Sequence, residues 1–74
     1  MDNPESLELH ILQIADDQAK KLGLSMEEFG RVVKKENGFY IVEYMPRDPS
    51  RRGGGIEIWV DSKTLRVVRK IYTQ

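Results

Sequence analysis

The chain has 74 residues, with 12 basic and 12 acidic side chains, one His, no Cys, 39 % apolar and 32 % charged residues. That apolar share and the zero net charge exclude a disordered chain. The absence of Cys removes any disulfide and any Cys-His zinc cluster from consideration. A core in a domain this small rarely supplies more than about 3–5 kcal/mol, so assembly with a second copy would help it. One domain over residues 1–74 is expected. No apolar run approaches the ~18 residues of a membrane helix. The opening Met1-Asp2-Asn3-Pro4-Glu5 lacks the basic-then-apolar pattern of an export signal, so a cytoplasmic location is expected. The charge is unevenly placed. Residues 1–37 hold 8 acids against 5 bases, and residues 38–74 hold 4 acids against 7 bases. A pI near 6.6 speaks against nucleic-acid binding by composition.

Asn3-Pro4 reads as a helix start, with Asn as N-cap and Pro at the first helical position; Ser6 is an alternative cap. At 100° steps Leu7, Ile11, Leu12, Ile14, Ala15, Ala19 and Leu22 form one broad stripe. Leu9 lies off it, and Asp16 and Asp17 fall outside it or at its margin. Gly23 offers a left-handed stop after Lys20 and Lys21, giving a helix over about residues 4–22. Ser25-Met26-Glu27-Glu28 has capping-box spacing, but Gly30 follows too soon for a long helix. A short turn that docks Leu24 and Phe29 is expected there.

From Arg31 the period changes to that of strands. Arg31-Val32-Val33-Lys34-Lys35 is a short strand. Asn37-Gly38 is the strongest hairpin signal, since both residues tolerate the positive φ of a type I′ turn. Phe39 to Met45 returns, and Pro46 ends that strand because it has no N–H to donate. Residues 46–55 read as a loop rich in Pro, Arg and Gly. Ile56-Glu57-Ile58-Trp59-Val60 alternates as a strand, Asp61-Ser62-Lys63-Thr64 turns, and Leu65 to Tyr72 is the last strand. The fold class is therefore α+β: one N-terminal helix packed on a four-stranded antiparallel meander. The expected core is Leu7, Ile11, Ile14, Ala15, Leu22, Phe39 or Tyr40, Ile41 or Val42, Ile56, Ile58, Val60, Val67 and Ile71. A slip of one residue exchanges the faces.

The run Trp59-Val60-Asp61-Ser62-Lys63-Thr64-Leu65-Arg66-Val67-Val68 resembles the strand–turn–strand of PepSY-like and cystatin-like domains. With Lys21-Leu22-Gly23 and Gly53-Gly54-Gly55, the layout also resembles short nuclear-transport-factor-like immunity proteins of bacterial toxin systems. The resemblance implies a single-helix α+β fold and an inhibitor or immunity role, and it carries over no catalytic residue. It departs at Leu65, where the family pattern has Gly. A Leu there must take a left-handed conformation or alter the turn.

The helix covers one face of the sheet. If Tyr40, Tyr44 and Trp59 share the other, they form a patch suited to a protein partner, most simply a second copy of the chain. The competing expectation is that residues 25–30 or 46–55 fold over these rings. A separate possibility is anion or nucleic-acid binding through Arg47, Arg51, Arg52, Arg66 and Lys70, with backbone N–H groups of the Gly-rich loop. That loop is no P-loop, because it lacks Gly-Lys-Ser/Thr and precedes a strand. The lone His10 has no Cys to partner it and no helix carboxylate one turn away, and Ser6 at i−4 reads as a first-turn residue, so no catalytic set is expected. Asp16-Asp17 and Glu27-Glu28 are adjacent pairs whose side chains diverge by about 100° on a helix, and they read as solvated charge. Ligand spacing for a metal is missing, and no cofactor is expected.

Overall fold

The computed structural model describes residues 4–48, 50 and 54–72, the side chains of residues 4 and 5 apart. One helix, α1 (Pro4–Lys21), precedes four strands, β1 (Phe29–Glu36), β2 (Phe39–Pro46), β3 (Ile56–Asp61) and β4 (Val67–Tyr72). The strands form one antiparallel sheet in the order β1-β2-β3-β4, and α1 lies across β2 and β3. This is the expected α+β arrangement.

The helix ends through its backbone. Gly23 takes φ 91°. Its N–H donates to the Lys20 carbonyl at 3.0 Å, and the Leu24 N–H donates to the Ala19 carbonyl at 3.0 Å. This is a Schellman stop, in which two otherwise orphaned carbonyls are satisfied. The next segment is one turn, closed by the Glu28 N–H donating to the Ser25 carbonyl at 3.1 Å. Leu24, Met26 and Phe29 pack against the helix-side core. Residues 24–29 therefore fold onto the covered side of the sheet and leave the opposite face alone. β1 begins at Phe29, two residues ahead of the expected Arg31. The Arg47 N–H donates to the Glu28 carbonyl at 2.9 Å, which prolongs the β1–β2 ladder past Pro46.

Both hairpins follow their turn chemistry. Asn37 (φ 45°) and Gly38 (φ 84°) both take positive φ, the geometry of a type I′ turn that matches strand twist. In the second hairpin Asp61 Oδ1 accepts the Lys63 N–H at 2.7 Å and the Thr64 N–H at 3.0 Å. The Leu65 N–H donates to the Asp61 carbonyl at 2.8 Å. Leu65 takes φ 58°, the left-handed alternative, at a cost of about 1–2 kcal/mol for an L-residue. Its side chain is half-buried and packs against the core, which offsets part of that cost. With Leu65 in this conformation, β4 starts at Val67 instead of Leu65. A register shift between Trp59 and Val60 accommodates the change.

The core lies between α1 and one face of the sheet. Ile11, Ala15, Ala19, Val42, Tyr44, Ile56, Ile58 and Val60 are all buried, with Leu7, Leu12, Ile14, Leu22, Tyr40, Leu65 and Val67 packed around them. Ile11, Ala15 and Ala19 follow at i, i+4 and i+8, one line along the helix, and the two alanines let α1 sit close to the strands. The register decides one open choice and corrects one expectation. Of the paired choices in β2, Tyr40 and Val42 face the helix, because they lie opposite Val60 and Ile58. Ile71 pairs with Glu57, so it belongs to the other face and not to the core. Close approach also fixes Gly55: a Cβ there would lie 1.6 Å from the Tyr44 carbonyl oxygen.

Candidate functional site: the open face of the sheet

The register assigns every strand residue to a face. Residues directly opposite one another share a face, and the faces alternate along each strand. Tyr40, Val42 and Tyr44 lie opposite Val60, Ile58 and Ile56, under the helix. Phe39, Ile41, Glu43 and Met45 share the opposite face with Glu57 and Trp59 of β3, with Val32 and Lys34 of β1, and with Arg69 and Ile71 of β4. Among the described residues no element packs on this second face.

The three rings expected to share the open face therefore do not. Trp59 lies on it. Tyr40 and Tyr44 lie on the helix side, and Tyr44 is only 1 % exposed. The cause is the apolar character of β2 at both parities, which leaves the turn register to decide. The open-face ring beside Trp59 is Phe39, with ring centroids 5.7 Å apart and planes inclined at 57°. Such tilted aromatic pairs are favoured by the ring quadrupoles. Ile41, directly opposite Trp59 and two residues after Phe39, is 4 % exposed although no helix covers it. Towards β1 and the end of β2 the face is more open, with Val32 and Met45 about half exposed.

Charged groups frame the rings. The Arg69 guanidinium sits 5.3 Å from the Trp59 ring centroid, a cation–π contact. Trp59 Nε1–H donates to Glu57 Oε1 at 3.1 Å. Lys34 pairs with Glu43 across β1 and β2. The Glu43 carboxylate holds the Lys34 ammonium above its usual range, first by hydrogen bond and then by charge.

Tyr44 has a structural task. Its hydroxyl donates to Asp16 Oδ1 at 2.6 Å, and Arg31 donates to Asp16 Oδ2 at 2.7 Å. One helix carboxylate thus ties α1 to β1 and β2. Asp16 is accordingly no solvated charge, since its side chain is 19 % exposed. Burial, reinforced by the Asp16 carboxylate, raises the Tyr44 phenol well above its ordinary value. The sequence signal for this partnership was weak: an acid at the margin of the helix stripe and a Tyr on a strand that is apolar both ways.

The described residues of the expected basic site, Arg47, Arg66 and Lys70, are dispersed. Arg47 is held at the Pro46 end of the sheet, where its Nε–H donates to the Phe29 carbonyl at 3.1 Å. Arg66 closes the turn at the opposite end, its carbonyl accepting the Asp61 N–H at 2.9 Å. The six residues of β3 separate these ends, about 20 Å at strand rise. Lys70 lies opposite Ile58, on the helix side of an edge strand. Arg51 and Arg52 lie outside the described residues. His10 is exposed and lines, with Ser6, Leu7 and Leu65, a cavity of about 330 Å³. No group of acids and His that could hold a metal occurs among the described residues, and no described helix is long and apolar enough to cross a membrane. No family model, curated protein or solved structure matches the chain.

Proposed function

We propose that the protein is a non-enzymatic interaction module that forms a homodimer through the open face of its sheet. One observation carries this reading. Phe39 and Trp59 make a tilted ring contact beside a buried Ile41, with Val32 and Met45 half exposed, on a face that no described element covers. Monomeric proteins rarely leave large contiguous apolar patches in water, and Trp is enriched where partners bind most strongly. A second copy is the simplest occupant, because packing sheet on sheet would enlarge a core that is small on its own. Four strands of six to eight residues present roughly 19 by 20–26 Å at standard strand spacing. That places the contact at the small end of specific interfaces.

The test is native mass spectrometry across a dilution series, with light scattering in solution. A dimer that dissociates on dilution is expected. Trp59→Ala should shift it to monomer while the far-UV circular dichroism stays unchanged. A chain that is monomeric at every concentration, or a Trp59→Ala dimer as tight as the parent, overturns the reading.

A further inference from the structure

The open face is organised in rows across the strands. One row runs Lys34, Ile41, Trp59, Arg69, and the next runs Val32, Glu43, Glu57, Ile71. The first has a cation at each end and the second has two carboxylates in the middle. The rows are two residues apart along the strands, about 6.6 Å. Glu43 and Glu57 stand directly opposite one another on adjacent strands, a like-charge pairing that disfavours the isolated sheet. Lys34 partly neutralises Glu43 from within the chain. The Glu57 carboxylate accepts the Trp59 indole N–H, a neutral donor that leaves its charge in place.

We infer that two copies pack face to face about a two-fold axis perpendicular to the strands, running between these rows, so that the basic row of each copy lies on the acidic row of the other. The inference rests on the open-face homodimer proposed above and gives it a register. In this arrangement each strand faces its own counterpart, running antiparallel. Trp59 lies over Glu57 of the other copy, and Arg69 lies one strand spacing, about 4.8 Å, to the side of that same carboxylate. Lys34 stands likewise beside Glu43 of the other copy. The two facing carboxylates that repel within each chain thereby gain cations from the second. The alternative two-fold, parallel to the strands, would set Lys34 against Arg69 and Glu43 against Glu57. Like charge would then meet like charge in both rows.

Exchange of one charge in each row tests this. Arg69→Glu and Glu57→Lys are made separately and examined alone and mixed by native mass spectrometry, which distinguishes the heterodimer by mass. Each variant alone should dimerise at least tenfold more weakly than the parent. The one-to-one mixture should recover a heterodimer within a few-fold of the parent affinity. Far-UV circular dichroism of each variant checks the fold, and the neutral Arg69→Gln and Glu57→Gln pair should weaken association less than the reversals. A parent that dimerises while both variants dimerise equally well keeps the homodimer and overturns this register. Variants that each weaken association but do not rescue one another overturn it too, since the charges would then act only within their own chain. A parent that is monomeric at every concentration removes the dimer and the register together.

Discussion

The two faces of this sheet come from alternate residues of the same strands and meet different demands. The helix-side face of β2 and β3 is Tyr40, Val42, Tyr44, Ile56, Ile58 and Val60, and its one buried polar group, the Tyr44 hydroxyl, is bonded to Asp16. The open face intersperses Phe39, Ile41 and Trp59 with Glu43, Glu57, Lys34 and Arg69. A face that must exclude water permanently tolerates polar atoms only with fixed partners. A face that meets water, or a second protein, can carry charges, and these set which partner and which register are favoured. Stability is thus concentrated on the covered face, and if the open face carries the proposed association, substitutions on the two faces should separate accordingly.

The largest separation is between neighbours in β3. Ile58 is fully buried, and Ile58→Ala should cost about 2–5 kcal/mol through lost transfer energy and a cavity. That is comparable to the whole stability of a domain this size, so chemical denaturation should find the variant largely unfolded. Trp59, one residue later on the other face, should lose association first and stability little. An Ile58→Ala midpoint close to the parent's would break the division between the faces.

Tyr44→Phe should have a smaller effect. It removes one hydrogen bond to a half-buried carboxylate that keeps Arg31, a loss of about 1–2 kcal/mol. The same variant tests the raised Tyr44 phenol. The unfolded chain releases this proton near the ordinary value, about pH 10, whereas the folded chain holds it higher. The stabilisation is therefore complete below about pH 10 and falls as pH rises beyond it, by up to about 1.4 kcal/mol per pH unit. Parent and Tyr44→Phe should differ in stability at neutral pH and converge above pH 10. A constant difference across that range would show that the phenol ionises alike in both states.

Much of this architecture was legible in the chain, for local reasons. The helix stripe, Gly23, Asn37-Gly38 and the alternation of Ile56 to Val60 each encode one element by its own geometry. The faces of β2 were not legible from Phe39-Tyr40-Ile41-Val42, which is apolar at both parities. The discriminating residue stood just beyond: Glu43 shares its parity with Phe39 and Ile41, and a charge at that parity marks the open face. With the two-residue turn pairing Glu36 with Phe39, the same parity carries Lys34 and, on β3, Glu57 and Trp59. The Asp16 contact lay further out of reach. It depends on how α1 is rotated over the sheet, a packing outcome that no local pattern records. The dispersal of Arg47 and Arg66 likewise follows from strand order, which sends them to opposite ends.

Asp61 refines the division, because it is an open-face residue with a structural role. It pairs with Phe39 at the end of β3, and its carboxylate accepts the Lys63 and Thr64 N–H groups of the turn that holds Leu65 at φ 58°. Asp61→Ala frees both donors and relaxes the turn, so the thermal midpoint should fall by a small amount, with the association proposed for the open face unchanged. The Thr64 and Lys63 N–H bonds hold the Asp61 carboxyl below its usual range. The unfolded chain therefore takes up this proton first as pH falls, and the contribution present above about pH 4 is lost as pH drops through the lowered folded value. Asp61→Asn keeps an acceptor oxygen for the same two donors. It should retain most of the midpoint at neutral pH while losing its own share of the acid dependence. Equal midpoints for parent and Asp61→Ala would mean that Leu65 is held left-handed by its packing against the core alone. The second hairpin would then owe its shape to the covered face and nothing to the open one.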